Sequence, residues 1–196
     1  MTITGRTCLI LFLVLCGSGS AWAIELSPTR DQIQHALQEG RVAAQARVLP
    51  NELYSWFGSV EEFEPKGFLM TKMNGLTVLA AHFALRGEEP SQGEVARILD
   101  EESMLVSVIL FGTTPTFAKD SYLVLKQSEK LVKPVKVRFD GVANRTSMWP
   151  HSPRYTAKVI GNFRYEDFDP QAPTTVIVFP SEGGERSFEL DFSQVP

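Results

Sequence analysis

Thr174-Thr175-Val176-Ile177-Val178-Phe179-Pro180-Ser181-Glu182-Gly183-Gly184-Glu185-Arg186-Ser187-Phe188-Glu189-Leu190-Asp191-Phe192 decides the fold class. Its first six residues are a short run of β-branched and aromatic side chains. In its last six, Phe188, Leu190 and Phe192 alternate with Ser187, Glu189 and Asp191, the period of two of a strand with one buried face. Between the runs, Gly183 and Gly184 supply the positive φ that a tight reversal demands. The stretch therefore predicts an antiparallel hairpin with Phe188, Leu190 and Phe192 in the core.

The same period continues upstream. Tyr155, Ala157 and Val159 alternate with Thr156 and Lys158, and Val135, Val137 and Phe139 alternate with Lys136 and Arg138. Residues 104–111 are almost wholly apolar, as a strand covered on both faces should be, and residues 121–126 run into the turn Gln127-Ser128-Glu129-Lys130. Strands at such short intervals, punctuated by Pro and Gly, predict an antiparallel β-sandwich of immunoglobulin-like type over residues 68–196, with a short helix near 90–101. The Cys-Trp-Cys spacing of immunoglobulin domains is missing.

Nearer the N-terminus the period lengthens. Ser27-Pro28-Thr29 followed by residues 30–46 predicts an amphipathic helix, with Ile33, Leu37 and Ala44 near one face and Gly40 as a weak point. Residues 51–58 read as a helical turn behind Pro50 that gathers Leu53, Trp56 and Phe57 on one side. Residues 24–67 are thus a helical N-terminal segment, and the chain as a whole is α+β. The stretch 68–86 fits both periods. Leu69, Met73, Leu76, Ala80 and Phe83 make a helical stripe, but Gly75 and β-branched Thr77 and Val78 favour a strand over about 76–86. Pro90-Ser91 ahead of Val95, Ile98 and Leu99 predicts the short helix.

The first 23 residues have the parts of a secretory signal peptide: Arg6, an apolar run from Cys8 to Leu15, small residues 17–20, and Ala21-Trp22-Ala23 ahead of a cut before Ile24. The apolar run falls short of the roughly 20 residues of a bilayer span. The expectation is an exported protein, periplasmic or extracellular, with no transmembrane segment after cleavage. A lipidated Cys16 is the alternative, opposed by the bulky Leu15 before it. Cys8 and Cys16 are the two cysteines of the chain and leave with the signal, which excludes a disulfide scaffold, a thiolate nucleophile and a thiolate metal site.

Removal of Arg6 leaves 18 basic residues against 23 acidic ones, a balance opposed to nucleic acid binding. The charges are segregated. Residues 129–158 carry seven Lys or Arg with Glu129 and Asp140, and residues 166–191 carry seven Asp or Glu with Arg186. The expectation is that these solvated strand faces pair with each other in the fold.

No motif of chemistry stands out. The three histidines, His35, His82 and His151, lie apart without metal-ligand spacing; His35 falls on a polar helix face, and His82, inside an apolar run, is expected to be buried and satisfied. There is no G-x-S-x-G, H-E-x-x-H or phosphate loop, so no cofactor or metal is implied. Glu166, Asp167 and Asp169 offer oxygens of the kind calcium takes, but the sequence Asp167-Phe168-Asp169-Pro170 fits a turn better. Glu61, Glu62 and Glu64 read as a solvated turn rather than a carboxylate dyad.

Residues 140–154 differ from the rest: a loop of this length between two patterned strands is uncommon in a compact domain and enriched in function. It gathers Arg145, Trp149, His151 and Arg154 beside Tyr155. Trp, Tyr and Arg dominate binding hot spots, the rings stacking on sugar or peptide faces and the guanidinium offering a planar fork to carboxylates. The competing reading makes Trp149 a plug in the end of the sandwich. The sequence is read as an exported non-enzymatic binding or assembly module whose partner is a protein or glycan of the envelope. The alternative is an envelope hydrolase using His151, Asp140 and Arg154.

Overall fold

Among the described residues, 24–195, the computed structural model has three α-helices and two antiparallel sheets. The expected signal peptide, with both cysteines, lies outside them. Helix α1 (Arg30–Gln45) begins where Thr29 and Gln32 form a reciprocal capping box, the Thr29 hydroxyl accepting from the Gln32 N–H. A short 3-10 turn, Pro50–Leu53, leads into strand β1 (Ser55–Gly58), and β2 (Lys66–Met70) pairs with it antiparallel. Helices α2 (Lys72–Ala84) and α3 (Gln92–Leu99) follow. In α3 the Ser91 N–H and hydroxyl, both bonded to the Glu94 carboxylate, hold that carboxyl below its ordinary pKa.

Three expectations are corrected here. Residues 76–86 are not a strand: Leu76 and Ala80, one helical turn apart, bury against Ala36 and Leu37 of α1, and this packing outweighs the β-branched Thr77 and Val78. Thr77 is accommodated by donating its hydroxyl to Met73 C=O, 3.2 Å away. His82, expected to be buried, is exposed on α2. Residues 51–58 are not one helical turn either. Phe57 points into the core while Trp56, 43% exposed, points out, so the segment 24–67 contributes β1 and the start of β2 to a sheet.

The remaining strands are β3 (Ser103–Gly112), β4 (Tyr122–Gln127), β5 (Lys130–Val132), β6 (Lys136–Phe139), β7 (Asn144–Arg145), β8 (Tyr155–Arg164), β9 (Thr174–Phe179) and β10 (Arg186–Leu190). The first sheet runs β1-β2-β3-β8-β6, with β7 beside β6 on the same edge of β8; the second runs β10-β9-β4-β5. The longest register of the first sheet joins β3 to β8 from Ser103↔Arg164 to Gly112↔Tyr155. Alternation sorts the side chains: Met104, Val106, Val108, Leu110, Val159 and Phe163 of the first sheet share one buried cluster with Leu123, Leu125, Val176, Val178 and Leu190 of the second. The turn after β9 has Gly183 and Gly184 at φ +97° and +74°, as the hairpin required. Phe188 packs partly buried against the core, and Leu190 and Phe192 are buried, the last in a 3-10 turn beyond β10.

The charge blocks do not pair with each other. The ion pairs among the described residues are His35–Glu39, Arg41–Glu89, Arg86–Glu88 and Arg164–Glu166, and none joins residues 129–158 to 166–191. No helix among the described residues is long and apolar enough to cross a membrane.

Candidate functional site

Residues 140–154 extend an edge of the first sheet rather than forming a structureless loop. Backbone pairing persists past β6, because the Asp140 N–H donates to Lys158 C=O (3.0 Å) and the Lys158 N–H donates to Asp140 Oδ2 (2.8 Å). Ala143 is buried, its N–H bonded to Pro115 C=O at 2.7 Å, which anchors the base of the tip to the loop after β3. β7 then pairs Asn144 with Thr156 and Arg145 with Tyr155.

Thr146 organises the turn beyond. Its N–H donates to Arg154 C=O (2.9 Å), its hydroxyl donates to Pro153 C=O, and its carbonyl accepts from the Trp149 N–H (3.2 Å). The His151 N–H closes a further turn on Met148 C=O at 2.8 Å. Trp149-Pro150 and Ser152-Pro153 are both cis. Main-chain bonds therefore fix the tip without the use of its large side chains, which leaves those side chains free for other work.

The structure brings Arg145 and Trp149 together: the guanidinium carbon lies 4.4 Å from the centre of the indole ring. Trp149 is 44% exposed, so it is not a plug in the end of the core. An exposed cation–π contact of this kind is worth about 0.5–1 kcal/mol. His151 and Arg154 are exposed on the same tip. Tyr155 stands apart, half-buried and packed against the core. Neither Arg145 nor Arg154 has a carboxylate partner among the described residues, and His151 has none within ion-pair distance. Among the described residues neither His151 nor Arg154 lies within ion-pair distance of Asp140, whose Oδ2 accepts from the Lys158 amide, so the structure does not join the three into a catalytic set.

One concavity is invisible to any reading of the sequence in which residues 76–86 are a strand. Between α2 and the first sheet lies a cleft of about 370 Å³ whose lining includes Met70, Val78, Leu79, Leu105, Asn162 and Tyr165. The Tyr165 phenol at its end is pushed up to about 12, chiefly by burial; the Lys72 backbone hydrogen bond opposes that shift and the Glu101 charge adds to it. The Lys72 ammonium sits 5.7 Å from the centre of the Tyr165 ring. The phenol is therefore a neutral hydroxyl at ordinary pH and not a poised base.

The acidic stretch opens with a 3-10 turn, Tyr165–Asp167, and beyond it Asp169 Oδ1 accepts from the Gln171 N–H at 2.8 Å, the local bond of an Asx turn. Among the described residues no three His, Cys, Asp or Glu side chains converge as a metal site would need. No protein-family model matches the chain, and no curated protein matches it.

Proposed function

We propose that the protein is an exported, non-enzymatic binding or assembly module of the envelope or secretion space, periplasmic or extracellular. In this reading an immunoglobulin-like sandwich serves as scaffold and the tip of residues 143–154 is the contact surface. The observation that carries the reading is the Arg145–Trp149 stack, presented on a turn that main-chain hydrogen bonds already hold. Stacking fixes the plane of the guanidinium while its N–H edges stay free. An acidic group on a protein or glycan is the partner such a fork accepts, with the indole face taking a ring or aliphatic surface.

The test separates stability from association. Trp149→Ala is expected to change unfolding free energy by less than about 1 kcal/mol, the value of the lost cation–π contact. The same change is expected to weaken capture of the native envelope partner at least tenfold, as truncation of a hot-spot anchor does. Arg145→Ala weakens capture in a salt-dependent way. A Trp149→Ala protein that unfolds several kcal/mol early, or that retains full capture, overturns this assignment.

Export itself rests on the Ala21-Trp22-Ala23 pattern. Intact-mass analysis of protein recovered outside the cytoplasm is expected to find a chain beginning at Ile24. A chain beginning at a diacylated Cys16 indicates a lipoprotein instead.

A further inference from the structure

The six strands of the first sheet contain no Asp or Glu, although the chain has 23 acidic residues against 19 basic ones. The same strands contain Lys66, Lys136, Arg138, Arg145, Lys158 and Arg164. Register places four of these cations on the face turned away from the core. Lys66 and Lys158 both lie opposite Ile109, Arg138 lies opposite Ile160, and Lys136 lies opposite Asn162. Among the described residues none of these four has a carboxylate within ion-pair distance. The nearest acids in sequence are accounted for: Asp140 bonds the Lys158 amide, Glu166 pairs with Arg164, and Glu64 is exposed just ahead of β2.

The middle of this face is apolar. One cross-strand row reads Trp56, Phe68, Ser107, Ile160, with Ser107 buried between its two large neighbours. Phe68 stacks on Tyr54 at 4.4 Å between ring centres and meets the edge of Trp56 at 5.3 Å. Trp56 is held by its own Nε1–H, which donates to Asn51 C=O at 2.9 Å. Helix α2 overlies the Leu105 end of the face, where the cleft opens, while Trp56, Lys136, Arg138 and Lys158 are exposed beyond it.

We infer that this face docks on an anionic lipid bilayer. Five strands about 4.8 Å apart give a pleated surface about 19 Å wide. A peptide ligand of a sheet ordinarily uses a free edge or a groove, whereas here the apolar side chains stand on the open pleat itself. Tyr and Trp beside Lys and Arg is the composition that settles at headgroup depth, with rings among the acyl ends and cations on the phosphates. Glu101 lines the cleft at the α2 end, so the unpaired Lys66, Lys136, Arg138 and Lys158 set the end of the face that meets the anionic surface.

The test uses the full chain with Trp22→Phe and Trp149→Phe, so that Trp56 is the one indole. Its emission is recorded on phosphatidylglycerol vesicles with brominated acyl chains and on the same vesicles made of phosphatidylcholine. Trp56 is expected to be quenched on the anionic vesicles and not on the zwitterionic ones, and high salt is expected to reverse the quenching. Each cation near an anionic leaflet is worth about a factor of five in partitioning, so Arg138→Gln with Lys158→Gln is expected to weaken it about 25-fold. Lys119→Gln, in the loop before β4, changes nothing. Sedimentation with vesicles without quenching of Trp56 places the attachment elsewhere in the chain, in its apolar leader for example, and overturns the inference. Equal quenching on both lipids overturns it too, as does protection of Trp56 by an acidic polypeptide but not by vesicles.

Discussion

Leu190→Ala is expected to cost about 2–5 kcal/mol in urea unfolding, while Glu189→Ala one residue away stays within about 0.5 kcal/mol. Leu190 is 7% exposed and belongs to the cluster shared by the two sheets, so truncation leaves a void that the surrounding β-structure closes only in part. Glu189 faces outward on the same strand and accepts a hydrogen bond from the Thr175 hydroxyl at 3.2 Å. That cross-strand contact is exposed and worth a few tenths of a kcal/mol. The contrast tests the alternation itself. Equal losses from the two substitutions mean that β10 does not sort its side chains inside from outside, and the shared core of the two sheets goes with it.

The C-terminal hairpin was legible because two local signals agree there, period-two alternation and glycines at a reversal. The capped helices were legible for the same reason: Thr29 with Gln32 and Ser91 with Glu94 announce helix starts before any tertiary contact is considered. Residues 68–86 were not, because their local signals conflict. Thr77 and Val78 carry strand propensity, and what resolves the conflict is the burial of Leu76 and Ala80 against α1, some forty residues earlier in the chain. Trp56 and Phe57 are ambiguous in sequence because apolar neighbours suit either one face of a turn or two faces of a strand. The pairing of β1 with β2 decides for the strand.

The candidate contact site was half legible. Composition drew attention to residues 140–154, and four-residue spacing permits Arg145 and Trp149 to meet, but only the bonds made by Thr146 bring one ring under one guanidinium. Tyr155, grouped with them in sequence, is turned towards the core by the alternation of β8. The cationic outward face was invisible in a linear reading. Lys66 and Lys158 are far apart along the chain, and it is their common neighbour Ile109 that makes them part of one surface.

Gly40 reverses its meaning between sequence and structure, and its substitution has the second large expected effect. As a glycine inside α1 it weakens the helix by roughly 0.5–1 kcal/mol relative to Ala, so propensity alone has Gly40→Ala stabilising. A Cβ at this position would stand 2.1 Å from Thr77 C=O, 2.8 Å from the Ala80 Cβ and 2.9 Å from the Ala81 nitrogen. Two of these neighbours are backbone, and no rotamer change moves them. α1 and α2 must separate, loosening Ala36, Leu37, Leu76 and Ala80 together, and overpacking of this kind costs about 1–3 kcal/mol and occasionally more. Gly40→Ala is accordingly expected to destabilise by about 3 kcal/mol in spite of its better propensity. Gly93→Ala supplies the opposite sign, since in α3 the nearest atom to an added Cβ is the Ser91 Oγ at 3.9 Å and the expected gain is about 0.5 kcal/mol. Urea unfolding of both variants decides between propensity and packing: if Gly40→Ala stabilises as Gly93→Ala does, the close crossing of α1 over α2 is wrong, and with it the reason residues 72–84 are helical.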